Sequence, residues 1–130
     1  IDLSIIADIK HIKENKDRDD FILIDSRTAE EYKGISTKEK SKGHIPGAIL
    51  IDYKEVLDES GAFKSKEELS VLASKYGLSP DKEIVLYCVT SVRAAVNYVA
   101  FKEILGFPKV KIYDGAYNEW VADSSNPVEK

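Results

Sequence analysis

The 130-residue sequence holds a single cysteine, Cys88, and an arginine, Arg93, follows it across four residues, Val89, Thr90, Ser91 and Val92. An apolar run ends just before Cys88 and a helical pattern begins at Val92, so the thiol lies in a short strand-to-helix loop. Such a loop gathers backbone N–H groups and the positive end of the helix dipole into an anion site, with Cys88 on its rim. A guanidinium nearby further favours the thiolate, which is the nucleophilic form. The chemistry this arrangement suits is attack on an electrophile that carries negative charge. The opposing reading is an inert, buried, apolar cysteine, since free cysteine is among the most buried residue types. Position at a strand end and the following arginine weigh against it.

The elements around the loop follow from periodicity. Residues 84–87 read as a buried central strand. From Val92 an amphipathic helix is expected, with Val92, Ala95, Val96, Val99 and Leu105 on or near one face, until Gly106 and Pro108 stop it. At the start of the chain, Ser4 is expected to cap a helix carrying Ile5, Ile6, Ile9 and Ile12. His11 falls within that helix and reads as a surface or half-buried residue. Residues 21–24 form the next strand and end in Asp25-Ser26-Arg27. Thr28 with Glu31 and Ser65 with Glu68 both match the capping-box pattern, so a helix is expected after each, closed at Gly34 and Gly77. Between them lies a lysine-rich solvated loop over 35–42. Lys33, Lys38, Lys40 and Lys42 there could concentrate an anionic substrate, although ordinary surface is the plainer reading.

The segment Gly43-His44-Ile45-Pro46-Gly47 reads as a tight turn that His44 helps to fix, and a short apolar run over 48–51 follows it. One or two helical turns are expected over 53–57, and a turn at Ser60-Gly61. Beyond Gly106 come a strand over 110–113, a turn at Asp114-Gly115, and a short helix with Tyr117 and the core anchor Trp120. Strands and helices alternate, which predicts an α/β fold with about five strands, mostly parallel, and helices on both faces. Ligands bind beyond the carboxyl ends of the strands in such sheets. If the strands ending at Asp25 and Cys88 are neighbours, Arg27 and Arg93 converge on the sulfur.

Composition narrows the function classes. Apolar residues make up 43% of the chain and charged residues 32%, so one folded globular domain over 1–130 is expected. A net charge of −4 argues against nucleic acid as the main partner, and no apolar stretch is long enough to cross a bilayer. One cysteine excludes an internal disulfide and agrees with a reducing compartment, hence a cytoplasmic location. The sequence starts at Ile1 and contains no methionine, which suggests a piece of a longer protein.

Cysteine phosphatases place five residues between Cys and Arg; with four here, the cradle is tighter. The residues resemble instead the rhodanese-type sulfurtransferases. The resemblance rests on Leu23-Ile24-Asp25-Ser26-Arg27 with Glu31, Tyr32 and Gly34, on Gly43 to Ala48, on the loop from Cys88 to Arg93, and on Tyr113-Asp114-Gly115 with Trp120. The ending over 119–128 is most similar to the catalytic second half of two-domain thiosulfate or mercaptopyruvate sulfurtransferases. The resemblance implies a rhodanese-like fold and sulfur transfer through a persulfide on Cys88. A small anionic sulfur donor would supply the sulfur, a thiol, a protein or cyanide would accept it, and a preceding rhodanese-like domain would be a further partner. It implies donor contacts from Arg27, from Val89, Thr90, Ser91 and Val92, and from Arg93, with no metal and no organic cofactor. Thr90 stands where members carry a donor-selecting lysine or serine, which leaves the two donors open. Ser91 replaces the usual loop glycine; if the position needs positive φ, the substitution costs about 1 kcal/mol and weakens activity with thiosulfate. Two alternatives stand beside this one: a non-catalytic rhodanese-like binding module, and a cysteine phosphatase or arsenate reductase on the same sheet.

Overall fold

In the computed structural model, which describes residues 6–34, 43–88, 92–113, 115–123 and 125–129, five parallel strands lie in the order β1-β5-β4-β2-β3. They are β1 (Ile6–Ala7), β2 (Phe21–Asp25), β3 (Ile49–Leu50), β4 (Glu83–Tyr87) and β5 (Val110–Tyr113). The helices are α1 (Ile9–Asn15), α2 (Ala29–Tyr32), α3 (Lys66–Lys75), α4 (Val92–Tyr98) and α5 (Ala116–Ala122). A 3₁₀ turn covers Tyr53–Val56, and α4 widens into a π-helix over Val99–Ile104.

Alternation along the strands divides the core in two. Ile24, Ile84 and Leu86 face one side with Leu69 and Ala73 of α3, Ala94 of α4, and Ala100 and Phe101 of the π segment. Phe21, Leu23, Val85 and Tyr87 face the other, with Ile12 of α1 and Tyr117 and Trp120 of α5. Because β2 and β4 carry apolar side chains on both faces, each must be covered twice, and that requirement makes the sheet parallel with helices above and below. Both capping boxes form: Thr28 and Ser65 accept the backbone N–H of Glu31 and Glu68, and each glutamate reaches back to its cap. No described helix is long and apolar enough to cross a membrane.

Two expectations are corrected. The first helix begins at Ile9, capped by Asp8, whose side chain accepts from the N–H of His11 at 2.8 Å. Ile6 and Ala7 instead pair with β5 as a short strand, while Ser4 and Ile5 lie outside the described residues. An apolar residue near a helix start has the same pattern as one in a two-residue strand, and the unpaired edge of β5 offers backbone partners that one more helical turn would not. The helix after Cys88 keeps Val96 and Leu105 of its expected face packed against the core, partly buried, but its fully buried residues are others. Ala94, Asn97, Ala100 and Phe101 are wholly buried, and Ala95 is exposed. Apolar periodicity assigns the polar Asn97 to solvent, and the wider π turn shifts every residue after Tyr98.

Candidate active site

The site is built at the carboxyl ends of β2, β4 and β5. Asp25 stands opposite Tyr87 in the β2–β4 ladder, and the N–H of Ser26 donates to the Tyr87 carbonyl at 2.7 Å, extending the ladder one step. Ser26 therefore sits beside Cys88. On the other flank the N–H of Tyr117, at the start of α5, donates to the Cys88 carbonyl at 2.9 Å. The carbonyl that precedes Cys88 is thus held by Ser26, and the carbonyl of Cys88 itself by Tyr117.

The Cys88 side chain shares a face with Ile84 and Leu86 and packs in their cluster with Ala94 of α4. It is 1% exposed. The expected open rim is thereby corrected, because the period-two alternation of β4 continues through Cys88 and turns the sulfur toward the face that α4 covers. Val89, Thr90 and Ser91 lie outside the described residues, and Val92 is described only as the first backbone position of α4.

The arginines hold different posts. Arg27 is wholly buried. Its Nη2 donates to Asp25 Oδ2 at 2.6 Å and to the Gly43 carbonyl at 2.8 Å, its Nε meets both Asp25 oxygens at 2.9 Å, and its guanidinium lies 3.9 Å from the centre of the Tyr117 ring. Burial alone would lower the pKa of Arg27, but the hydrogen bonds and charge of Asp25 outweigh it, so the group is held charged above its ordinary value. Tyr87 completes this cage: its hydroxyl donates to Asp25 Oδ2 at 3.0 Å and accepts from the N–H of Ile45 at 3.1 Å. Burial, then the Asp25 charge, push the Tyr87 hydroxyl well above its ordinary pKa. A donor reaching Arg27 directly would have to enter the cage between these partners.

Arg93 makes a two-pronged pair with Glu31, Nη1 to Oε1 at 2.7 Å and Nη2 to Oε2 at 3.0 Å. Glu31 is the same carboxylate that closes the α2 capping box, where it accepts from the Thr28 hydroxyl at 3.0 Å. The start of α2 and the start of α4 are so joined through one buried side chain. A fork of this kind fixes the plane of the guanidinium as well as its position.

His44 acts on conformation. Its ring stacks on Tyr32 at 3.7 Å and its Nδ1 meets the Tyr32 carbonyl at 2.9 Å, while its backbone pairs with Glu129 in both directions. Of the lysines, Lys33 follows α2 as its C-cap, and Lys38, Lys40 and Lys42 lie outside the described residues. Sequence reasoning missed Asp25 as the partner of Arg27, Glu31 as the partner of Arg93, and Asn97 altogether. Glu31 carried a signal, its capping position; Asn97 carried none.

A family model described as a rhodanese-like domain matches residues 8–123. The chain is 36% identical over 124 residues to the sulfur carrier protein TtuD of Thermus thermophilus, and 36% identical over 110 residues to a thiosulfate sulfurtransferase of Azotobacter vinelandii. These alignments cover 89% and 85% of this chain but only 42% and 40% of the relatives, so it spans about two fifths of their length. Among solved structures it is similar to the anaerobic ergothioneine biosynthesis enzyme of Chlorobium limicola bound to trimethyl histidine, with a TM-score of 0.89 and 27% identity over 98% of this chain and 32% of that one.

Proposed function

We propose, for a chain that belongs to the rhodanese-like domain family, that it is a sulfurtransferase working through Cys88. In the first step the Cys88 thiolate attacks the outer sulfur of thiosulfate, or the sulfur of 3-mercaptopyruvate. A Cys88–sulfur bond forms, the donor's own bond to that sulfur breaks, and sulfite or the enolate of pyruvate leaves with the electron pair. In the second step a thiolate or cyanide attacks the terminal sulfur and releases the Cys88 thiolate. Covalent catalysis of this kind divides one transfer into two easier ones. One observation carries the reading: the sole cysteine stands directly after the central strand, at the end of the sheet where ligands bind, with its carbonyl held by the Tyr117 N–H.

The donor site is proposed to consist of the loop N–H groups of Val89, Ser91 and Val92, the Thr90 hydroxyl, and Arg93, whose plane Glu31 sets. Arg27 is proposed to support the site from behind, by holding the β2 turn through Asp25. A small anionic donor, a thiol or protein acceptor and a preceding rhodanese-like domain are the proposed partners, the last because the relatives are more than twice as long as their match to this chain.

Mass spectrometry after incubation with thiosulfate tests the proposal. The wild type is expected to gain one sulfur on Cys88 and lose it to cyanide, and folded Cys88→Ser is expected to gain none and to show no cyanolysis. An unmodified wild type, or cyanolysis retained in Cys88→Ser, overturns the mechanism. Turnover of p-nitrophenyl phosphate in place of thiosulfate would transfer the assignment to a phosphatase. The burial of Cys88 favours a second reading, a module that binds a partner and performs no transfer. An unmodified mass is its signature.

A further inference from the structure

Asn97 is a polar residue with no solvent exposure, one helical turn beyond Arg93. Its Nδ2 donates to Ser26 Oγ at 2.9 Å and to the Ile51 carbonyl at 2.9 Å. Ser26 stands beside Cys88, and Ile51 follows β3 with its own N–H bonded to the Asp25 carbonyl at 3.0 Å. One amide therefore ties the helix after the loop to the ends of two strands. Its Oδ1 has no hydrogen-bond partner among the described residues. Rotating the amide would not help, since Oδ1 would then face the carbonyl oxygen of Ile51.

Burying Oδ1 without a donor is costly, but removing the side chain would in turn deprive the buried Ile51 carbonyl of this donor, so the amide supports stability as well as position. What it does besides is hold Ser26, which stands beside Cys88, and α4, which follows Cys88 in the chain, in one frame.

We propose that Asn97 is a positioning residue for Cys88, setting the start of α4 against the Ser26 turn. The part of this that concerns sulfur transfer rests on the sulfurtransferase reading above; the part that concerns the reactivity of Cys88 does not. A shift of about an ångström in a positioned group is enough to slow a reaction by one or two orders of magnitude.

The test uses Asn97→Leu, Ser26→Ala and the double variant. Two readouts are taken: kcat and donor KM for thiosulfate, and the pH profile of Cys88 alkylation by iodoacetamide. Each single variant is expected to lower kcat roughly tenfold or more with donor KM within about twofold, and to displace the alkylation profile. The double variant is expected to lose no more than the worse single one, because the Asn97–Ser26 bond is already absent in each single variant. Wild-type kcat and alkylation in both single variants overturn the proposal, as do losses that multiply in the double. If Asn97→Leu does not fold, Ser26→Ala decides alone. A wild type inactive in sulfur transfer would refute the transferase reading, and the alkylation profiles would still judge the positioning.

Discussion

At Arg27 the guanidinium and the Asp25 carboxylate are both wholly buried, so each depends on the other for its charge to be tolerated. Taking away one partner leaves an uncompensated buried charge, which costs about 3–5 kcal/mol, whereas replacing both is nearly neutral. Arg27→Met should therefore lower the urea midpoint severely. Asp25→Asn with Arg27→Met should restore at least half of the loss, since an asparagine oxygen still accepts from the Tyr87 hydroxyl. Equilibrium unfolding of the two variants checks this, and a loss below about 1 kcal/mol in Arg27→Met would remove the pair from its structural post. The same protein samples separate support from donor contact: a group behind the site changes stability first, and one that touches the donor raises KM at unchanged stability. The sequence marked Arg27 through its place at a strand end. It could not reveal that the side chain turns back onto a residue two positions earlier, because that depends on Tyr117 covering the guanidinium from a helix some ninety positions away.

The turn from β5 into α5 carries its own strain. Ala116 has φ of 58°, the left-handed region that a residue with Cβ seldom occupies, and the next N–H holds the Cys88 carbonyl. That conformation costs an alanine about 1–2 kcal/mol. Glycine would escape it but would lose a buried methyl and more backbone entropy, roughly 0.8 and 0.5–1 kcal/mol, so Ala116→Gly should leave the thermal midpoint within a few degrees of wild type. Ala116→Val adds a β-branched side chain in the same backbone state and at a buried position, and should destabilise by about 2 kcal/mol or more. Equal midpoints for the alanine and valine proteins would show that the turn holds no strain. Elements set by local rules were legible in advance: the two capping boxes depend on residues three apart, and the chain obeys them. The burial of Asn97 on α4 was not legible, because its partners Ser26 and Ile51 lie far off in sequence and accept from its amide.

Across the whole molecule the sheet has two poles with different work. Its carboxyl end holds Cys88; its amino end holds Glu83, the first residue of β4. The parallel α/β plan was visible from alternating patterns, but the strand order was not, since the edge strand β1 has two residues and no periodicity to show. At the amino end, Glu83 meets His11 Nε2 at 2.5 Å, Arg18 Nη2 at 3.4 Å and Lys111 Nζ at 3.4 Å, and so ties α1, the segment after it and β5 to the central strand. Burial would raise the pKa of this carboxylate, yet the hydrogen bond and charge of His11, with those of Lys111, outweigh it and hold it below the ordinary glutamate value of 4.5. A depressed carboxylate contributes stability above its unfolded value and loses that contribution as pH falls through the folded one. Wild-type stability should thus decline below about pH 4.5 in part through this group. Glu83→Gln should be less stable than wild type at pH 7 and should converge with it in acid, as read from urea midpoints at neutral pH and at about pH 3. Persulfide formation at pH 7 should be unchanged, because the substitution lies at the pole away from Cys88. Parallel stability curves for the two proteins would mean that Glu83 does not carry the acid sensitivity, and a persulfide lost together with stability would mean that the two poles are coupled.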